Sequence, residues 1–204
     1  MWRKRIRNCY TSVGSLTNTH NLANAAAALM KRGTSDNTVK TYIDYIEDEF
    51  LMHHAKRYDI KGKKYFGYPQ KYYAMDLGLR NAKLNFRQQD AGHLMENVIF
   101  NELVRRGYSA DVGMVPINSI TDGKKVTSQH EIDFIVNTGV SKIYIQSAWN
   151  LDSDEKLRQE KLSLMHTGDF FRKIVVTGGN ERLWTDDDGI AYIGIIPFLL
   201  EDIL

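Results

Sequence analysis

Apolar positions in this chain recur at two periods, and an element ends where the period changes. Leu22, Ala25, Ala26 and Leu29 share one face of a short helix, which Asn18 or Thr19 can cap and Gly33 can close. After Ser35 or Asp36 as a second cap, Val39, Ile43, Ile46 and Phe50 form the stripe of a second helix. The period then falls to two. LMHHAKRY (51–58) and KKYFGY (63–68) read as a hairpin turning at DIKG, and KYYAM follows as a third strand before DLGLRNA, where Gly78 breaks the pattern. Two helices followed by a hairpin describe a winged-helix-like unit.

Past the polar stretch NFRQQDA (85–91), GHLMENVIFNELVRRGY reads as a helix opened after Gly92 and closed by Gly107. Apolar residues cover so much of its circumference that it must be buried on more than one side. HEIDFIVN (130–137) alternates as a strand, with Ile132, Phe134 and Val136 on one face and Glu131, Asp133 and Ile135 on the other. KIYIQSAW (142–149) returns after a turn at Gly139 as its antiparallel partner, placing Tyr144, Gln146 and Ala148 on one face. A helix over about 153–165, a buried strand in KIVVTGG (173–179), and a last strand and helix in GIAYIGIIPFLLEDIL follow. The pattern predicts an α/β (α+β) chain of two domains. Residues 1–88 form a winged-helix-like domain and residues 89–204 a mixed sheet flanked by helices. Mild proteolysis is expected to cut the linker first.

Composition narrows the function. With 43% apolar and 25% charged residues, the 204-residue chain can bury a sizeable core, so disorder is not the default. The one cysteine, Cys9, excludes an intrachain disulfide and a multi-cysteine zinc site. The first fifteen residues are basic but lack the apolar run of a signal peptide, and no stretch approaches the roughly 20 apolar residues of a membrane span. A cytoplasmic protein without a membrane partner is expected. Net charge is only +2, yet residues 1–88 hold 16 Lys and Arg against 7 Asp and Glu, while the remainder holds 11 against 18. A basic half is the footprint of polyanion binding, although mutual attraction of the halves or self-association is a rival reading. Between Lys56 and Lys71 six basic residues stand against one acid, Asp59. Lys56, Arg57, Lys61, Lys63 and Lys64 are therefore the expected contacts to DNA or RNA, with Lys40 at the start of the second helix. Asp44, Glu47, Asp48 and Glu49 on the same helix would repel phosphates.

Glu96 stands out because its i+3 and i+4 neighbours, Ile99 and Phe100, surround it with apolar material. A buried carboxylate requires a partner or a metal. A helix bearing Glu96, a strand bearing Asp133 and a second strand bearing Gln146-Ser147-Ala148 resemble the PD-(D/E)XK nuclease superfamily. The resemblance implies a restriction-endonuclease-like fold, with Glu96, Asp133 and Gln146 at the catalytic positions and Glu96 and Asp133 as ligands for weakly held Mg2+ or Mn2+. Gln146 replaces a carboxylate and Ala148 the lysine of the (D/E)XK triplet. Efficient phosphodiester cleavage is therefore expected to be lost, unless a lysine such as Lys142 or Lys156 has moved in. His53, His54, His93, His130 and His166 lack metal-ligand spacing, and Asp186 to Gly189 read as a solvated turn.

The string from VKTYIDYIEDEFL through KYYAMDLGLRNA, GHLMENVIFNEL and HEIDFIVN to KIYIQSAW is similar to the C-terminal region of a broad family of prokaryotic AAA-type ATP-binding proteins, over about residues 16–203. No G-x-x-x-x-G-K-[ST] loop occurs, so no nucleotide is expected on this chain. The resemblance implies an N-terminal ATPase domain as partner. It makes the chain a fragment or truncated member, with a nucleic-acid-binding regulatory or effector role. The alternatives are an active nuclease and a protein-interaction module.

Overall fold

The computed structural model describes residues 13–17, 35–87, 90–121 and 123–204. The first expected helix, with Leu22 to Leu29, lies outside them. The next is α1 (Asp36–Asp48), which begins where Ser35 accepts a hydrogen bond from the Thr38 amide at 3.2 Å. Its residues Val39, Ile43 and Ile46 are buried, whereas Phe50 lies past the helix end and is exposed.

Among the described residues nine strands form one sheet, in the order β1-β3-β2-β4-β5-β6-β7-β9-β8. They are β1 (Leu16–Thr17), β2 (Met52–Asp59), β3 (Lys64–Ala74), β4 (Ala110–Thr121), β5 (Lys124–Asn137), β6 (Lys142–Ala148), β7 (Arg172–Thr177), β8 (Trp184–Thr185) and β9 (Ala191–Gly194). The hairpin read as the wing forms, and it is part of this sheet. β2 pairs antiparallel with β3 on one side and parallel with β4 on the other, through Arg57 opposite Val112, Tyr58 opposite Gly113 and Asp59 opposite Met114. The two strands expected at 63–68 and at KYYAM are one. Gly67 to Gln70 form an irregularity within β3, because β2 advances only from Ala55 to Arg57 while its partner moves from Lys71 to Phe66. Pro69 has no amide to donate, which suits it to such a break.

β4 and the first half of β5 form a long antiparallel arm that the sequence pattern does not predict. Gly113 and Pro116 interrupt the alternation of β4. At Gly113 a Cβ would be crowded, lying 3.0 Å from Ile60 Cδ1 and 3.1 Å from Ile132 Cβ.

Helices α2 (Leu77–Lys83), α3 (Ala91–Arg105), α4 (Asp154–Met165) and α5 (Ile195–Leu200) complete the described fold. Met95, Ile99, Phe100 and Leu103 of α3 and Phe198 of α5 pack on one side against Val112, Phe134, Ile145 and Val176. Leu157 and Leu164 of α4 pack with a second cluster that contains Ile132, Ile135, Tyr144 and Ala148. α1 packs with Met52, Tyr72 and Ala74 in a third. Both sheet and helices thus follow the expected α+β class, and the sheet runs across the boundary expected at residue 88. No helix among the described residues is long and apolar enough to cross a membrane.

Arg87 is exposed, and β2–β4 pairing joins segments on its two sides. Trypsin nicking after Arg87 should therefore leave two fragments that co-elute in size-exclusion chromatography until denaturant is added. Separation of the fragments under native conditions would show that the sheet does not hold them.

Candidate functional site: a buried lysine among carboxylates

Three backbone features bring the site together. The irregularity ahead of Lys71 ends in time for Lys71 and Tyr73, two residues apart on β3, to point to the α3 side. On α3, Asn97 is fully buried and clips the helix to the end of β3. Its Oδ1 accepts from the Ala74 amide at 2.9 Å and its Nδ2 donates to the Ala74 carbonyl at 2.8 Å. On β5, Ile132 stands opposite Gly113 but Ile135 opposite Asp111, so β5 carries one extra residue. Such a bulge turns two successive side chains to roughly the same face. The strict alternation read from the sequence is corrected accordingly: Ile132 packs with Ile135 on the α4 side, and Phe134 with Val136 on the α3 side.

The result is an ammonium ringed by carboxylates. Lys71 Nζ lies 2.8 Å from Glu96 Oε1, 2.5 Å from Glu131 Oε1 and 3.5 Å from Asp133 Oδ1. Lys71 is only 4% exposed, and Glu96 and Asp133 are buried. Glu96 Oε1 also accepts from the fully buried Tyr73 hydroxyl at 2.7 Å, and Tyr73 stacks on Phe100 with centroids 4.2 Å apart. Gly14 lies near the other Glu96 oxygen, such that a Cβ there would stand 3.6 Å from Oε2. Asp133 Oδ2 accepts from the Ser147 amide at 2.8 Å.

One ammonium faces three acids, and the electrostatics follow from that imbalance. Burial and the Asp133 charge raise the Glu96 pKa to about 7, against the pull of Lys71 and Tyr73. Burial disfavours the charged form of Lys71, but Asp133, Glu96 and Glu131 together outweigh it and raise its pKa. The three acids thus favour the charged form of Lys71 despite its burial.

Glu96 and Asp133, paired in the sequence reading, do meet at one nitrogen. Gln146 does not join them: its Nε2 donates to Glu160 Oε2 on α4 at 3.0 Å, and its Oε1 accepts from the Asp133 amide at a long 3.4 Å. Ala148 is buried in the α4-side cluster. Neither lysine named as a replacement reaches the acids. Lys142 Nζ lies over the Tyr58 ring at 5.4 Å, and Lys156 Nζ donates to Asn150 Oδ1 at 2.8 Å. The lysine that does is Lys71, which the sequence groups with the basic run. Glu131 is legible as an acid sharing a face with Asp133, but Tyr73 carries no signal.

Among the described residues no three His, Cys, Asp or Glu side chains are set to hold a metal ion. The acids stand at ammonium distances around Lys71, not at the roughly 2.0–2.1 Å that Mg2+ demands. With Lys71 in place the donor set does not fit a divalent ion. The Asp186 turn is not simply solvated either, because Lys161 Nζ bonds Asp186 at 2.7 Å and also Asp188.

Of the expected phosphate contacts, Lys40, Lys56, Lys61, Lys63 and Lys64 are exposed, and Arg57 is half-buried with its guanidinium 5.1 Å from the Phe66 ring centroid. Lys61 Nζ also donates to the Pro116 carbonyl at 3.1 Å, fixing the β2–β3 turn beside the β4–β5 arm. The arm's own turn carries Lys124 and Lys125, both exposed.

The folded state retains the Glu96 proton up to about pH 7, whereas an unfolded glutamate releases it near 4.5. This contribution to stability is complete below the lower value and is lost as pH rises through the upper one. From about pH 5 to about pH 8, melting temperatures should therefore move against the wild type by a few degrees relative to Glu96→Gln, whose amide stays neutral. A difference independent of pH would mean that Glu96 is ionised throughout.

Residues 91–198 match the model of a domain of unknown function, DUF4143, and residues 2–90 match that of another, DUF8612. An uncharacterized protein of Haemophilus influenzae is 34% identical over 190 residues, which cover 93% of this chain and 43% of the relative. An uncharacterized protein of Methanocaldococcus jannaschii is 27% identical over 167 residues, covering 78% of this chain and 35% of the relative. The chain thus spans less than half the length of these curated relatives. No solved structure matches. The match over α3 to α5, which takes in Glu96, Glu131 and Asp133, shows that the chain belongs to the DUF4143 family.

Proposed function

We propose that this chain is a nucleic-acid-binding module of AAA-type ATPase family proteins, with a nuclease-like site that has lost efficient cleavage. The observation that carries the binding half is the set of exposed lysines on two turns at the same end of the sheet, Lys61, Lys63 and Lys64 on one and Lys124 and Lys125 on the other, farther out along the β4–β5 arm. The Lys61 bond to Pro116 holds the first turn against the arm that bears the second. Such a ridge suits the regularly spaced phosphates of DNA or RNA, whose binding is driven by counterion release. Arg57, held against Phe66, and Lys56 extend it along β2. The relatives run on beyond the matched region, and the ATPase partner belongs there in this reading.

The order α3-β4-β5-β6-α4-β7, with β4 to β6 antiparallel and β7 parallel to β6, supports the nuclease-like half. So does the meeting of Glu96 and Asp133 at Lys71. Loss of cleavage follows from three side chains. Ala148 offers no charge, Gln146 is engaged by Glu160, and Lys71 fills the space between the acids. A second reading, an active metal-dependent nuclease whose lysine comes from outside the triplet, draws on Lys71 itself, and a cleavage assay with Mg2+ or Mn2+ separates the two.

For every phosphate that the protein no longer neutralises, the slope of log affinity against log salt should fall by about 0.7 to 0.9. Replacing Lys61, Lys63 and Lys64 together by Ala should weaken DNA or RNA binding and make that slope shallower by roughly two to three. Parent and variant with equal affinity and slope, or a parent that binds neither polymer at low salt, would remove the binding role. Cleavage should stay at the level of the metal-free control. Divalent-dependent cleavage abolished by Asp133→Ala would instead favour the second reading.

A further inference from the structure

We infer that the Lys71 ammonium is the resident cation of the Glu96, Glu131 and Asp133 cluster, held where a divalent metal ion would otherwise bind, and that removing it opens a site for Mg2+ or Mn2+. The inference stands whether or not the lysine turns bind nucleic acid.

Three observations carry it. The first is position, since one oxygen from each of three acids on two different elements, α3 and β5, faces the same nitrogen at 2.5 to 3.5 Å. Carboxylates gathered this closely repel one another unless a cation lies between them, and Lys71 is the cation present. The second is anchorage. The Lys71 backbone is paired on both sides, with Leu16 of β1 and Ala55 of β2, and its side chain is buried. The ammonium cannot swing out to make room without leaving a charge buried and unpaired, which is strongly unfavourable. The third is surplus. A single positive charge does not neutralise three acids, so the cluster that remains without Lys71 has the hard oxygen donors and the charge that Mg2+ and Mn2+ take. To reach metal-bond length the Glu131 and Glu96 oxygens would move in by several tenths of an ångström and the Asp133 oxygen by roughly 1.4 Å, into the space that the ammonium leaves.

The intact chain and its Lys71→Met variant, which keeps the length of the side chain and drops the charge, should be titrated with Mn2+ while free Mn2+ is followed by electron paramagnetic resonance. The wild type should show no saturable uptake up to millimolar Mn2+. Lys71→Met should take up one ion per chain and lose it again when Asp133→Asn is added. A folded Lys71→Met chain without uptake overturns the inference. So does saturable uptake by the wild type that Asp133→Asn abolishes. The wild-type titration needs no variant of Lys71 to fold, and absence of uptake there, despite three clustered acids, is the result expected of a site already filled.

Discussion

The structure depends on a charge that water cannot reach. Lys71 lies on β3, while its three carboxylates lie on α3 and β5, so its ammonium holds together segments from both sides of residue 88. Removing one member of a buried charge group typically costs about 3 to 5 kcal/mol, because the others are left uncompensated. Buried ion pairs often contribute no more to stability than well-packed apolar residues of similar volume would. What it supplies is geometry: an ammonium with three acids around it fixes how β3 lies against α3 and β5, where apolar contacts would tolerate sliding. Asn97 acts in the same sense, closing both backbone groups of Ala74 with one side chain.

The helices are the most legible part of the sequence except α2, which forms over the DLGLRNA stretch where Gly78 reads as a break and is capped by Asp76. Ser35 and Ser153 cap α1 and α4, and Gly107, at a φ of 83°, closes α3 as its position implies. Periodicity and caps are local, so they survive in the sequence. The sheet is less legible, for reasons that are not local. The pairing of β2 with β4 cannot be read from either strand. Gly113 and Pro116 disguise β4, although a Cβ at Gly113 would be crowded by Ile60 and Ile132. A single extra residue in β5 is enough to put Ile132 and Phe134, read as sharing a face, on opposite sides of the sheet.

The site is half legible. Glu96 is marked by its apolar neighbours and Asp133 by its strand, and both reach the cluster. Lys71 is hidden by its company, because a lysine that follows five other basic residues looks like surface charge. Its burial depends on the break at Gly67 to Gln70, which changes the register of β3 before Lys71 is reached. Gln146, by contrast, is placed by motif alone, and its amide turns to Glu160.

The parallel contact between β2 and β4 has a kinetic consequence. The hairpins β2–β3 and β4–β5 each close over a short stretch of chain and can form early, but joining them requires the loop that contains α2 and α3 to be closed first. Until that happens, β2 and β4 each present an open edge, and Lys71 and its acids remain hydrated on separate pieces. Burying Lys71, Glu96 and Asp133 then belongs to the same late event as sheet closure. The rate at which this chain matures should therefore be set by its middle, and mispairing of those two edges between chains is the failure it must outrun.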